Sequence, residues 1–105
     1  MKVLVTGASG YIGSHVCKLL KEKGHTVIGW DTEIHSETND VKEFCDEYYN
    51  VDVTGQYAGG VYDTIVHLAG RSVVPDSLKE PAEYYRVNVG GTANLLAMTT
   101  TPHVI

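Results

Sequence analysis

The stretch Thr6-Gly7-Ala8-Ser9-Gly10-Tyr11-Ile12-Gly13 constrains this chain more than any other. Before it runs Lys2-Val3-Leu4-Val5, a short apolar run that reads as a buried strand. After it, Ile12, Val16, Leu19 and Leu20 recur at helical spacing. A glycine-rich turn between a first strand and a first helix is a strong dinucleotide-binding signal, because the context supplies what the spacing alone lacks. Gly7 lets the chain leave the strand in a tight turn. Gly10 has no side chain to hold a pyrophosphate off the backbone, and Gly13 allows close packing of helix on sheet. The helix N-terminus offers amide groups and a partial positive charge. The alternative is an ordinary glycine-rich turn.

Val3-Leu4-Val5-Thr6-Gly7-Ala8-Ser9-Gly10-Tyr11-Ile12-Gly13-Ser14-His15 closely resembles the N-terminus of the NAD-dependent epimerase/dehydratase family, extended short-chain dehydrogenases that act on nucleotide sugars. Its Thr-Gly-x-x-Gly-x-x-Gly spacing differs from the Gly-x-Gly-x-x-Gly of lactate-type dehydrogenases. The resemblance implies NAD as cofactor, with contacts along this turn from Gly7, Ser9, Gly10, Tyr11, Ile12 and Gly13. It also implies a much longer enzyme, of which this chain corresponds to the N-terminal part.

A chain of 105 residues makes one domain at most, here expected to be a single truncated dinucleotide-binding domain over 1–105. With 43% hydrophobic and 20% charged residues the composition is ordinary for a globular protein. No leader and no long apolar run stands out, so neither secretion nor a membrane span is expected. Cys17 and Cys45 form no Cys-x-x-Cys pair, and a reducing, cytoplasmic setting is the simplest expectation. A net charge of −5 without a basic patch argues against nucleic acid. The five histidines have no metal-ligand spacing.

Taken in order, strand one spans Lys2 to Thr6 and helix one runs from about Tyr11 to Lys23, with Gly24 as its stop. His25 to Trp30 forms strand two, ending at Asp31. There a carboxylate can accept both hydroxyls of an adenosine ribose and repel a 2′-phosphate, which favours NAD over NADP. The alternative is a loop aspartate. Thr32 to Asn39 reads as loop, and Val41, Phe44, Cys45 and Tyr48 suggest a short helix. Tyr49-Asn50-Val51 reads as a third strand running into Asp52-Val53. The resemblance implies that this pair contacts adenine, the carboxylate taking the amino group and Val53 packing on the ring; otherwise Asp52 is a strand-end cap.

Thr54 to Gly60 allows one helical turn, and Tyr62 to Leu68 reads as strand four. His67-Leu68-Ala69-Gly70 resembles the family turn where the backbone passes the cofactor's second ribose and pyrophosphate, so Leu68, Ala69 and Gly70 join the implied contacts. His67 itself reads as a packed strand histidine rather than a catalyst. Ser72 stands where the best-known epimerases carry a cofactor-holding lysine, a departure that marks a subgroup.

From Pro81, a suitable first helical residue, one helix is expected to about Met98. Ala82, Tyr85, Val89, Ala93 and Leu96 form one stripe, and Tyr84, Asn88, Gly91 and Leu95 a second. Two stripes suggest two buried faces, one on the sheet and one against a partner. The resemblance implies a dimer through this helix; the alternative is cover by the chain's own sheet. Tyr84 to Thr92 resembles the family's Tyr-Tyr-x-x-Asn-Val-x-Gly-Thr stretch, which implies that Asn88 supports the active-site region as a buried amide. His103-Val104-Ile105 reads as the stub of a fifth strand.

The family's chemistry rests on a Tyr-x-x-x-Lys pair. None of the seven tyrosines here has a lysine four residues on. The expected fold is α/β, a truncated Rossmann fold with parallel strands ordered 3-2-1-4-5, helices on both faces and a bare fifth edge that invites a homodimer. Three functional readings follow. The first is an NAD(H)-binding module without catalysis. The second is the N-terminal piece of a split nucleotide-sugar epimerase or dehydratase, completed by a separate catalytic chain. The third is an interaction protein that keeps the fold without the ligand.

Overall fold

A computed structural model describes residues 1–32, 43–55, 60–69, 81–99 and 104–105. Four strands, β1 (Lys2–Thr6), β2 (Thr26–Asp31), β3 (Glu47–Asn50) and β4 (Thr64–His67), form one sheet in the order β3-β2-β1-β4. All three pairings are parallel, with Val3 opposite Val27 and Thr64, and Ile28 opposite Glu47. Helix α1 (Tyr11–Glu22) links β1 to β2.

The central strands are buried and mostly apolar through their middles because both sheet faces are covered. Alternation along β1 sends Val3 and Val5 to one face, where they pack with Ala8, Cys17 and Val27 beneath α1. Leu4 goes to the other, with Ile28, Trp30, Tyr62, Ile65 and Leu95. The Trp30 and Tyr62 rings meet edge to face there, 6.3 Å apart.

Helix α1 ends as the sequence predicts. Gly24 has φ +84, its N–H bonds to Lys21 O and the His25 N–H bonds to Leu20 O, closing a Schellman motif. Its buried face, however, is not the predicted stripe. Gly13 and Cys17 are buried, Val16 and Leu20 flank them, and Ile12 and Leu19 are exposed. The helix lies so close to the turn that only small residues fit beneath it.

Two further expectations are corrected. Tyr48 lies in β3 rather than in a short helix, and β3 begins at Glu47. The Asp46 carboxylate accepts the Val27 N–H at 2.7 Å and its own N–H bonds to Val27 O, which fixes this segment on β2 as strand. Val41 lies outside the described residues, as do most of the 32–39 loop and much of the 54–60 turn. At the other edge Val104 makes a parallel bridge to Ile65, at the position expected for a fifth strand; among the described residues it is a bridge and not a strand.

The predicted last helix is present but interrupted. It comprises α2 (Pro81–Tyr85), a π-helical turn (Arg86–Gly90) and α3 (Gly91–Met98). A π turn inserts one residue and widens the helix locally. The Gly90–Gly91 pair sits at the junction, where a Cβ on Gly91 would lie 2.8 Å from Val53 Cγ2. The two stripes separate, except that Asn88 of the second is exposed. Tyr84, Gly91 and Leu95 are buried, whereas Tyr85 (71% exposed), Val89 (61%) and Leu96 (53%) face outward.

Candidate functional site

The C-terminal ends of β1, β2 and β4 converge on the glycine turn. Gly7 sits at φ +70, a conformation favourable only to glycine. A Cβ there would also lie 2.7 Å from the Leu68 carbonyl carbon and 2.8 Å from Ala69 N. Gly7 therefore lets the turn press against the backbone that follows β4. At Gly13 a Cβ would come within 2.0 Å of Gly7 O, so α1 starts directly beneath the turn. Gly10 is the N-cap, with no side-chain cap hydrogen bond and no acidic residue in the first turn. Ser14 N–H bonds to Gly10 O at 2.9 Å, so the amides of Tyr11, Ile12 and Gly13 lie ahead of the first intrahelical bond. Glycine backbone and leading amides together form a cradle of the kind that suits an anion. The Tyr11 side chain stands outside it, edge to face with His15 at 4.8 Å.

Asp31 ends β2 beside this cradle. Its Oδ2 accepts the Ser9 N–H at 3.0 Å and its Oδ1 the Thr32 N–H at 2.7 Å. Ala8 N–H bonds to Trp30 O, tying the turn to the same strand end. The buried Ser9 side chain is hydrogen-bonded to Tyr48 on β3. A negative charge is thus held against the turn by the turn's own backbone.

Asp52 lies farther along, after β3. Its Oδ1 accepts the Thr54 N–H (2.9 Å) and hydroxyl (2.6 Å), and Arg86 reaches the same Thr54 oxygen at 2.7 Å. The Thr54 bonds, aided by the Arg86 charge, hold this carboxyl below the usual carboxylate range. Asp52 therefore caps a turn. Val53 is 4% exposed, packed toward Gly91, and its carbonyl accepts Asn94 Nδ2 at 2.8 Å. Asn88 is exposed in the π turn, a correction to the buried amide expected there. Leu68 and Ala69 flank Gly7 as described; Gly70 and Ser72 lie outside the described residues.

Sequence reasoning missed a polar chain beneath this site. The buried Thr6 hydroxyl accepts the N–H groups of Leu68 (3.1 Å) and Ala69 (3.2 Å) and meets His67 Nδ1 at 2.6 Å. With both lone pairs engaged, Thr6 donates to Nδ1, which assigns the His67 proton to Nε2. Nε2 then donates to Thr92 Oγ1 (2.9 Å), and Thr92 donates to Asn88 O (2.8 Å). The partners are 61 and 25 positions apart, so no local pattern announces them. Burial pushes the His67 imidazole below its ordinary value of 6.5. The unfolded chain accordingly binds the proton first as the pH falls. Stability from this group is full above about 6.5 and declines as the pH drops toward the lower folded value. One proton limits the slope to about 1.4 kcal/mol per pH unit, and partial exposure of the ring reduces it further. Urea midpoints at pH 7.5 and 5.5 should differ in this direction, and His67→Gln should flatten the difference; an unchanged pH dependence in the variant would refute the assignment.

Parallel strands, the glycine turn entering a helix N-terminus, and an acid closing the second strand define a doubly wound α/β fold of the dinucleotide-binding class. The chain belongs to the NAD dependent epimerase/dehydratase family, whose model matches residues 3–104. It is 33% identical over 108 residues to a UDP-glucose 4-epimerase of Yersinia enterocolitica, an alignment covering 91% of this chain and 32% of that protein. Among solved structures it resembles UDP-glucose 4-epimerase from Bifidobacterium longum in complex with NAD+ and UDP (TM-score 0.79, 28% identity, 93% of this chain and 33% of that one). It is also similar to UDP-glucose 4-epimerase from Brucella ovis in complex with NAD (TM-score 0.77, 33% identity, 91% and 31%). The chain spans about a third of the length of these relatives.

Proposed function

We propose that this chain binds NAD(H) through the adenosine and pyrophosphate side of the cofactor and does not turn over a nucleotide sugar by itself. The observation that carries the reading is the cradle: Gly7 and Gly13 admit no Cβ, the amides of Tyr11 to Gly13 precede the first intrahelical bond, and the Ser9 amide of the same turn holds the Asp31 carboxylate. The pyrophosphate would take the α1 amides and Gly10, and Asp31 the adenosine ribose, with Asp52 at the adenine end. Leu68 and Ala69, positioned by Thr6, would line the turn toward the second ribose. NAD supplies a hydride acceptor when bound. The residues that would move a proton to and from a sugar hydroxyl, the family's Tyr-x-x-x-Lys pair, are not in these 105 residues.

A second reading, completion by another chain or pairing with a second copy, draws support from the outward stripe of Tyr85, Val89 and Leu96. Pro81, Tyr84, Tyr85, Asn88 and Val89 line a cleft along the same helix. A coupled assay of the pure chain with UDP-glucose and NAD should give no turnover above the blank. Turnover that follows the protein through purification would overturn the first reading.

A further inference from the structure

Cys17 and Cys45 are 28 positions apart and take no part in the cofactor cradle. The fold nevertheless brings them together. Cys17 is fully buried on the sheet-facing side of α1, and Cys45, partly buried, packs against the same cluster. Both side chains pack into one cluster on that face of the sheet, with Val3, Val5, Ala8 and Val27. Both are held in place from outside the pair. Asp46 is bonded to the Val27 backbone through its carboxylate and its amide, and Lys21, one helical turn beyond Cys17, pairs with the same carboxylate. The sulfur of Cys45 rests on Gly29 of β2, where a Cβ would lie only 2.8 Å from it. Any other residue at 29 would evict the sulfur, so the sheet is shaped to receive it.

We infer that Cys17 and Cys45 are an oxidisable dithiol that closes to an intramolecular disulfide, stapling α1 to the start of β3. Their chemistry is unequal. Cys45 is only partly buried, so an oxidant reaches it first. Cys17 is sealed beneath α1, out of an oxidant's reach while the chain is folded. Cys45 is therefore the attacking thiol and Cys17 the resolving one.

With hydrogen peroxide as oxidant, the Cys45 thiolate attacks one oxygen and the O–O bond breaks. Cys45 becomes a sulfenic acid and hydroxide leaves, taking up a proton to become water. Cys17 then attacks the Cys45 sulfur, its proton leaves with the departing hydroxyl as a second water, and the S–S bond forms. Two thiols lose two electrons in all and the peroxide gains them. Glutathione disulfide achieves the same oxidation by exchange, releasing two glutathione thiols.

The test uses the folded chain under non-reducing conditions, exposed separately to peroxide and to glutathione disulfide, and then alkylated in denaturant. The expected result is loss of both thiols without added mass, a 17–45 cross-linked peptide within one chain, and full recovery with dithiothreitol. Cys17→Ser should leave Cys45 holding glutathione, and Cys45→Ser should leave Cys17 unreacted while the chain is folded. Wild-type protein carrying a lasting adduct on Cys45 with Cys17 still free, a disulfide only between chains, or no reaction at either thiol would each overturn the inference. None of these results depends on whether NAD binds.

Discussion

Gly13→Ala is expected to lower the thermal midpoint by more than about 10 °C and to abolish NAD binding. The added methyl would stand 2.0 Å from Gly7 O, 2.9 Å from Gly7 C and 3.0 Å from Ala8 Cα. All three are backbone atoms, so no side chain can swing away. Either α1 lifts from the sheet, unseating Cys17 from the Val3, Val5 and Val27 cluster, or the turn itself moves. Overpacking of this kind sits at or above the roughly 3 kcal/mol end of its usual range. In a domain of this size each 1 kcal/mol is worth roughly 4–8 °C. Gly24→Ala is the control. Its φ of +84 strains an alanine, but among the described residues nothing lies within 4 Å of the added carbon. That variant should cost about 1–2 kcal/mol and spare the cofactor. Melting of Gly13→Ala within about 3 °C of wild type would show that the turn is not packed as described.

The second large effect concerns Asp31. Asp31→Ala should weaken NAD roughly 10- to 100-fold and reduce the preference for NAD over NADP. A charge-assisted hydrogen bond to a ribose hydroxyl is worth about 1.5–3 kcal/mol, and each 1.4 kcal/mol is tenfold in affinity. The carboxylate also holds the Ser9 and Thr32 amides, so truncation loosens the turn as well. Asp31→Asn separates the two roles, because an amide oxygen can still accept one of those N–H groups while the charge is gone. If both variants bind NAD and NADP as wild type does, Asp31 only braces the turn.

Much of this was legible because it is local. Strand β1, the glycine turn, the Gly24 stop, the end of β2 at Asp31 and the helix start at Pro81 each follow from residues within a few positions of one another. The sheet order continues the same reading, since right-handed crossovers leave few arrangements for such elements. What escaped depends on distant partners. Cys17 rather than Leu19 faces the sheet because the depth of α1 is set by Gly13 against Gly7. Tyr48 joined a strand because Asp46 is bonded to Val27, overriding a helical spacing that included Phe44 and Cys45. The Thr6–His67–Thr92 chain joins β1, β4 and the last helix, and the π turn arises where Gly91 meets Val53. The tight turn at Gly7 and the close packing at Gly13 could be read from spacing; Thr6, which positions Leu68 and Ala69, could not.

The central claim is that the cradle binds the adenosine pyrophosphate half of NAD. Calorimetric titration of the purified chain with NAD and, separately, with ADP-ribose tests it most directly. The account predicts saturable binding of NAD in the micromolar range, with ADP-ribose within about threefold, since half the dinucleotide carries the contacts; each tenfold in Kd is about 1.4 kcal/mol. No saturable heat with either ligand up to millimolar concentration would contradict it, leaving the glycine turn as architecture and the interaction-protein reading in first place.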